Sequence, residues 1–284
     1  MTTSASVQMP MVLLSTRFDP HRAASRPTPW AAIGSTTLVI MAIGGIRLAV
    51  GWLDGELHDV GQGIANAAVH AGFLVGGGIA TAGTQLPSLL PLLRASGVLF
   101  LASIASRFSP WGAALYLSAP ILLFRDARRW PAFRGIGVAR PSFKAAALGI
   151  ATGASLGVHL LVSASLTLGY AVRVNHVSTY LTAVAYDIGA GALTAEWVFR
   201  GAVFSRCWQR WEFWPATCLS AALAVARYLL DPPLPSAVEA RAGAVFYMAL
   251  LGVSACAFRA ASGSLLPGYL ATVTFFLAYR LLAL

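Results

Sequence analysis

Charge is what this chain lacks most. Acidic and basic residues together make up 11% of its 284 positions, against roughly 25% in a soluble domain, so a water-facing globule could not be covered. Cysteine is scarce too: Cys207, Cys218 and Cys256 are an odd number in or beside apolar runs, which excludes a disulfide framework and gives no spacing for a structural zinc site. Lysine occurs once, at position 144, and histidine is absent beyond residue 176; the five histidines are 21, 58, 70, 159 and 176. There is no glycine-rich phosphate loop, haem motif or metal cluster, so no cofactor and no metal are expected. Residues 1–29 hold only Met11 to Leu14 as an apolar run, too short for a signal-peptide core, and read as a tail retained on the chain.

What is present is hydrophobic. Apolar residues make up 57% of the chain and mean hydropathy is +0.71, which points to an all-α, polytopic integral membrane bundle. A window of about 20 apolar residues finds candidate spans near 30–53, 60–82, 86–106, 109–124, 145–169, 178–205, 214–230, 242–258 and 264–283, eight or nine passages in all. The organisation expected is a tail over 1–29, N-terminal helices over 30–124, a basic loop over 125–144 and a helical core over 145–284.

The formal net charge of +10 is placed as orientation charge. Arg125, Arg128, Arg129, Arg134, Arg140 and Lys144 face only Asp126 within one loop, which the positive-inside rule makes cytosolic. The alternation puts Arg206, Arg210, Arg259 and the basic N-terminus on the same side, and Asp231 and Glu239 on the other. Nucleic acid has no place in this account, and the expected partners are membrane lipid and another membrane protein.

Small residues recur at helical spacing: Gly149, Gly153 and Gly157; Gly72 and Gly76; Gly191 and Ala195. They are expected to let helix backbones approach inside the bundle. Ionisable residues at membrane depth are costly and each asks for a reason; they are Arg47, Arg94, His70, His159, Asp187, Glu196, Arg200, Arg227 and Arg280. Glu196 and Arg200, four apart, share a helix face and can neutralise each other. Asp187 lies nine residues before Glu196, about 180° round an unbroken helix, with Gly189 and Gly191 between them. His70 and His159 read as hydrogen-bonded packing residues, and Arg227 and Arg280 as side chains snorkelling from span ends.

The run Ala195-Glu196-Trp197-Val198-Phe199-Arg200-Gly201, then Leu219 to Leu223, Leu250-Leu251-Gly252 and Ser262 to Pro267, resembles the core of the CAAX protease and bacteriocin-processing (CPBP, or Abi) family of intramembrane proteases. The likeness covers about residues 134–284. It implies a CPBP-like helical core in a bacterial cytoplasmic membrane, and a site built on Glu-Glu-x-x-x-Arg, Phe-x-x-x-His and His-x-x-x-Asn/Asp. Only Glu196 and Arg200 match. Ala195 replaces the first glutamate, Ala224 and Tyr228 fall on the second motif's Phe and His, and Thr272 and Phe276 on the third motif's His and Asn. Since intramembrane hydrolysis needs a base and an oxyanion stabiliser, three functions stay open. One is a catalytically silent homologue that binds or chaperones other membrane proteins, with Tyr228 and Phe276 filling the former cavity. The second is an endopeptidase using Glu196, aided by His159. The third is a small transporter built on Asp187, Arg47 and Arg94.

Overall fold

The computed structural model describes residues 29–82, 86–127, 129, 133, 136–174, 176–229 and 238–283. The tail preceding residue 29, with Met11 to Leu14, and the position of Asp231 lie outside them.

The described chain is all-α. Helices α1 (Pro29–Val50), α2 (Gly55–Ala82) and α3 (Leu86–Phe108) come first. A 3₁₀ segment, Pro110–Leu117, leads into α4 (Ser118–Ala127). Then come α5 (Phe143–Leu168) and a long helix, α6, which passes through Val177–Tyr186, Asp187–Ala192, Leu193–Ala195, Glu196–Phe204 and Ser205–Trp208. Helices α7 (Phe213–Leu229), α8 (Val238–Ser262) and α9 (Leu266–Tyr279) complete the bundle. The strands are β1 (Ala171–Val172) and β2 (Leu282–Ala283), an antiparallel two-residue ladder tying the end of α5 to the end of α9.

Among the described residues, five helices are long and apolar enough to cross a membrane: Pro29–Val50, Gly61–Ala80, Leu89–Ser106, Phe143–Leu168 and Arg241–Ser262; Leu266–Tyr279 is apolar but shorter. Their outer faces fit a lipid solvent. On α5, Leu148, Ile150, Val158, Val162 and Leu166 all point outward, a stripe that water would penalise.

The inner face of α5 shows why glycine recurs there. Gly149 and Gly153 lie against the backbone carbonyls of Pro267 and Ala271, and Gly157 against Ala278 and Phe275. The two helices therefore run side by side in the same direction, closer than any Cβ would allow. Ser142 caps the start of α5 by accepting from Ala145 N at 3.2 Å, and Gly169, at φ +69°, ends it in the left-handed conformation. The Gly72/Gly76 pair packs on Val39 of α1, with an added Cβ lying 3.7–3.8 Å from its methyls. Gly191 behaves differently: a Cβ there would meet only Asp187 Oδ1, at 3.7 Å, so the Gly191/Ala195 step carries no close helix contact.

Residues 136–139 are held against the turn into α9. Leu265 N donates to Gly137 O (2.9 Å) and Ser264 Oγ to Ala139 O (2.7 Å). Gly137 has φ +100°, and an added Cβ would come within 2.7 Å of the buried Arg259 guanidinium. Nearby, Asp126 on α4 accepts from Arg125 Nε and Arg94 Nη1, both at 3.2 Å. Burial opposes the Asp126 charge, but these two guanidiniums outweigh it and hold the carboxyl below its ordinary value. Its folded pKa lies under the unfolded one, so the contribution is present above about pH 4 and is lost as pH falls through the folded value. Both arginines are more than half exposed, which limits the effect to about 1 kcal/mol or less. Melting profiles in detergent should show a small acid-side difference between wild type and Asp126→Asn that vanishes once the wild-type carboxyl is protonated. Parallel profiles down to the acid limit would refute it.

Candidate functional site

Helix α6 carries three of the ionisable residues singled out above, Asp187, Glu196 and Arg200, and two stretches of it are π-helical, Asp187–Ala192 and Glu196–Phe204. Such i→i+5 turns are rare and concentrate at functional positions. The first contains Gly189 and Gly191, where sequence allowed a break; the helix widens instead of breaking. Gly189 has to be glycine, because Tyr116 backbone presses on it from the 3₁₀ segment.

The π register brings side chains to carbonyls five residues away. Arg200 Nη1 approaches Ala195 O at 3.5 Å, and Ser205 Oγ donates to Arg200 O at 3.0 Å. Ser220, arriving on α7, donates to Phe199 O at 2.6 Å and receives Cys256 Sγ at 3.7 Å.

Glu196 and Arg200 pair as expected, with Nη1 to Oε1 at 3.6 Å and both side chains almost wholly buried. Thr272 on α9 donates to the same Oε1 at 3.1 Å. Thr272, which the resemblance sets at a histidine, therefore does meet Glu196, but with a hydroxyl. Glu196 Oε2 and Arg200 Nε are buried without a hydrogen-bond partner. Two glycines that sequence reasoning gave no role in the site make room for the pair: a Cβ on Gly268 would lie 2.6 Å from Glu196 Oε2, and one on Gly252 would lie 3.2 Å from Arg200 Nη2. Their placement four residues before Thr272 and four before Cys256 is a helical signal, visible only once the acid pair is assigned.

Tyr228 and Phe276 are buried in an aromatic cluster with Tyr247, Phe275 and Tyr279. Ala195 and Ala224 pack at the edge of the main core. Tyr228 also lines a cavity of about 380 Å³ with Leu160, Ala244, Tyr247, Phe275 and Tyr279.

Asp187 does not join Glu196. It accepts from Arg280 through two hydrogen bonds, Nε to Oδ2 at 2.6 Å and Nη2 to Oδ1 at 2.9 Å. Arg280 is thus an ion-pair partner, correcting its reading as a snorkelling residue; Arg227 is likewise buried in the last turn of α7. Arg94 is taken by Asp126, so two of the three residues that suggested a transporter are engaged in ion pairs. The Arg47 side chain lies outside the described residues.

Both candidate histidines are hydrogen-bonded, as expected. His159 Nδ1 meets Tyr247 Oη at 2.6 Å. His70 is buried between Thr194 Oγ1 on Nδ1 (3.1 Å) and Tyr186 Oη on Nε2 (2.8 Å). The Thr194 hydroxyl spends its hydrogen on Ala190 O at 2.7 Å, so it accepts from Nδ1–H, and Tyr186 donates to Nε2. The three cysteines are free thiols, with Cys207 and Cys256 buried and Cys218 exposed. Among the described residues, no three His, Cys, Asp or Glu side chains cluster closely enough to hold a metal.

No family model matches the chain, and no curated protein or solved structure matches it.

Proposed function

We propose that the chain is an integral membrane protein of eight or nine passes with a CPBP-like core over residues 134–284, catalytically silent, that binds and supports another membrane protein. The basic stretch 125–144 and the N-terminus then face the cytosol, as in the cytoplasmic membrane of a bacterium. The observation that carries this reading is the fate of the motif positions. Glu196 is sealed at 1% exposure between Arg200 and Thr272, while Tyr228, where the family has histidine, has become a wall of an apolar aromatic cavity. A general base needs water and a second polar group within reach; the hydroxyl of Thr272 cannot titrate usefully. An apolar cavity is instead suited to a hydrophobic segment.

The second reading, an endopeptidase using Glu196, draws on one feature, the unpartnered Oε2 in the space left by Gly268. His159 gives it little help, being engaged with Tyr247. One experiment separates the two. In mild detergent, wild type and Glu196→Gln should both carry a stoichiometric membrane-protein partner, and Ala244→Trp, which fills the cavity, should lose it. Cleavage of a membrane substrate by wild type that Glu196→Gln abolishes, or a partner-free monomer under several extraction conditions, would overturn the proposal.

A further inference from the structure

Arg280, held by Asp187, lines a second cavity, of about 440 Å³, distinct from the Glu196 site and from the aromatic cavity. That volume is in the small-molecule range, roughly 300–1,000 Å³. Its lining is polar in an uncommon way for an apolar bundle: Asn66, Ser103, Ser178, Thr179, Thr182 and Arg280 all contribute. Ser178, Thr182 and Tyr186 succeed one another at steps of four along α6, so they share one face of it and line about 12 Å of the crevice wall, at 1.5 Å per residue. Among the described residues, Arg280 is its sole charged lining residue.

The donor inventory decides what fits. Of the five guanidinium N–H groups, two are given to Asp187, which leaves three. Ser178, Thr179 and Thr182 supply three more hydroxyls. Ser103 and Tyr186 are already committed as donors, to Gly63 O and to His70, and offer lone pairs only. A crevice lined by as many as six available donors suits a tetrahedral oxyanion, whose several oxygens can each accept, better than a cation or a planar carboxylate.

We propose that this crevice binds a phosphate group, with Arg280 as anchor and the α6 hydroxyls as its collar, and that Asp187 positions the guanidinium while moderating its charge. The phosphate arrives either as a free anion or as the headgroup of an anionic lipid. The proposal is independent of whether Glu196 is catalytic.

The test uses the purified full chain. Inorganic phosphate is titrated in detergent by calorimetry, and phosphatidylglycerol retention is followed by native mass spectrometry from phosphatidylcholine nanodiscs doped with it. Phosphate binding by wild type assigns a free anion, and phosphatidylglycerol retention alone assigns a headgroup. In either arm the neutral pair Asp187→Asn/Arg280→Gln should weaken binding about tenfold or more, whereas Asp187→Asn alone, by releasing Arg280, should tighten it. Thr182→Leu blocks the crevice without touching the ion pair; it should weaken binding similarly and keeps the test valid if the pair variants do not fold. Failure of wild type to bind either probe, or equal binding by wild type and Thr182→Leu, would overturn the proposal.

Discussion

Gly153→Leu is expected to abolish most of the folded, monodisperse protein. The reason is geometric. Gly153 rests on the Ala271 backbone carbonyl, and Gly149, one turn earlier, on that of Pro267. Backbone cannot swing aside as a side chain can, so any Cβ must push α5 and α9 apart along their whole shared seam. Overpacking commonly costs about 1–3 kcal/mol, and rigid atoms on both sides place this site at the top of that range or above it. Opening the seam would also disturb Thr272, one residue from Ala271 and the partner of Glu196. Gly153→Ala should show the same direction with a smaller loss. The control is Gly97→Ala on α3, where an added Cβ meets nothing within 4 Å and the backbone gains roughly 0.5–1 kcal/mol of helix preference. Size-exclusion profiles and melting temperatures in mild detergent decide the matter; a Gly153→Leu protein as monodisperse and stable as wild type would refute the seam.

Much of this architecture was legible before any coordinates, and the reason is period. A 3.6-residue helix with small residues every four positions presents one flat face, so the glycine ladder of α5 could be read as internal packing, and its partner α9 supplies the other surface. The Glu196/Arg200 pairing was equally local, needing only a spacing of four. The π turns were not legible. They arise where Tyr116 presses on Gly189 and where Ser220 and Ser205 take carbonyls, contacts made by segments distant in sequence or by a register that sequence does not display. Arg280 was misread for the same reason: 93 residues separate it from Asp187, and its position near a helix end suggested an excursion to the surface. The need for partners among buried charges could have paired them, because Asp187 was the one acid at membrane depth without a local counterpart.

Arg200→Met is expected to be more damaging than the double change Glu196→Gln/Arg200→Met. Removing the guanidinium leaves a carboxylate buried against Ala255 and Gly268 with only the Thr272 hydroxyl to receive it, and breaking a buried pair in this way costs about 3–5 kcal/mol. Replacing both partners removes that cost, since the neutral amide still accepts from Thr272 and Met fills the arginine's volume beside Gly252; buried pairs exchanged for uncharged side chains are often neutral or better. The single Glu196→Gln change should fall between the two, because Arg200 retains the Ala195 carbonyl and a longer reach than a carboxylate has. A double-mutant cycle on melting in detergent reads the coupling directly, and additive losses would mean that the two side chains do not act as a pair. The cycle also bears on function. A binding protein whose pair is architectural keeps its partner in the double variant once folding is restored, whereas an endopeptidase built on Glu196 recovers its fold and still cleaves nothing. Stability and activity therefore separate in this one variant, which makes it the sharpest discriminator between a structural and a chemical role for the Glu196/Arg200 pair.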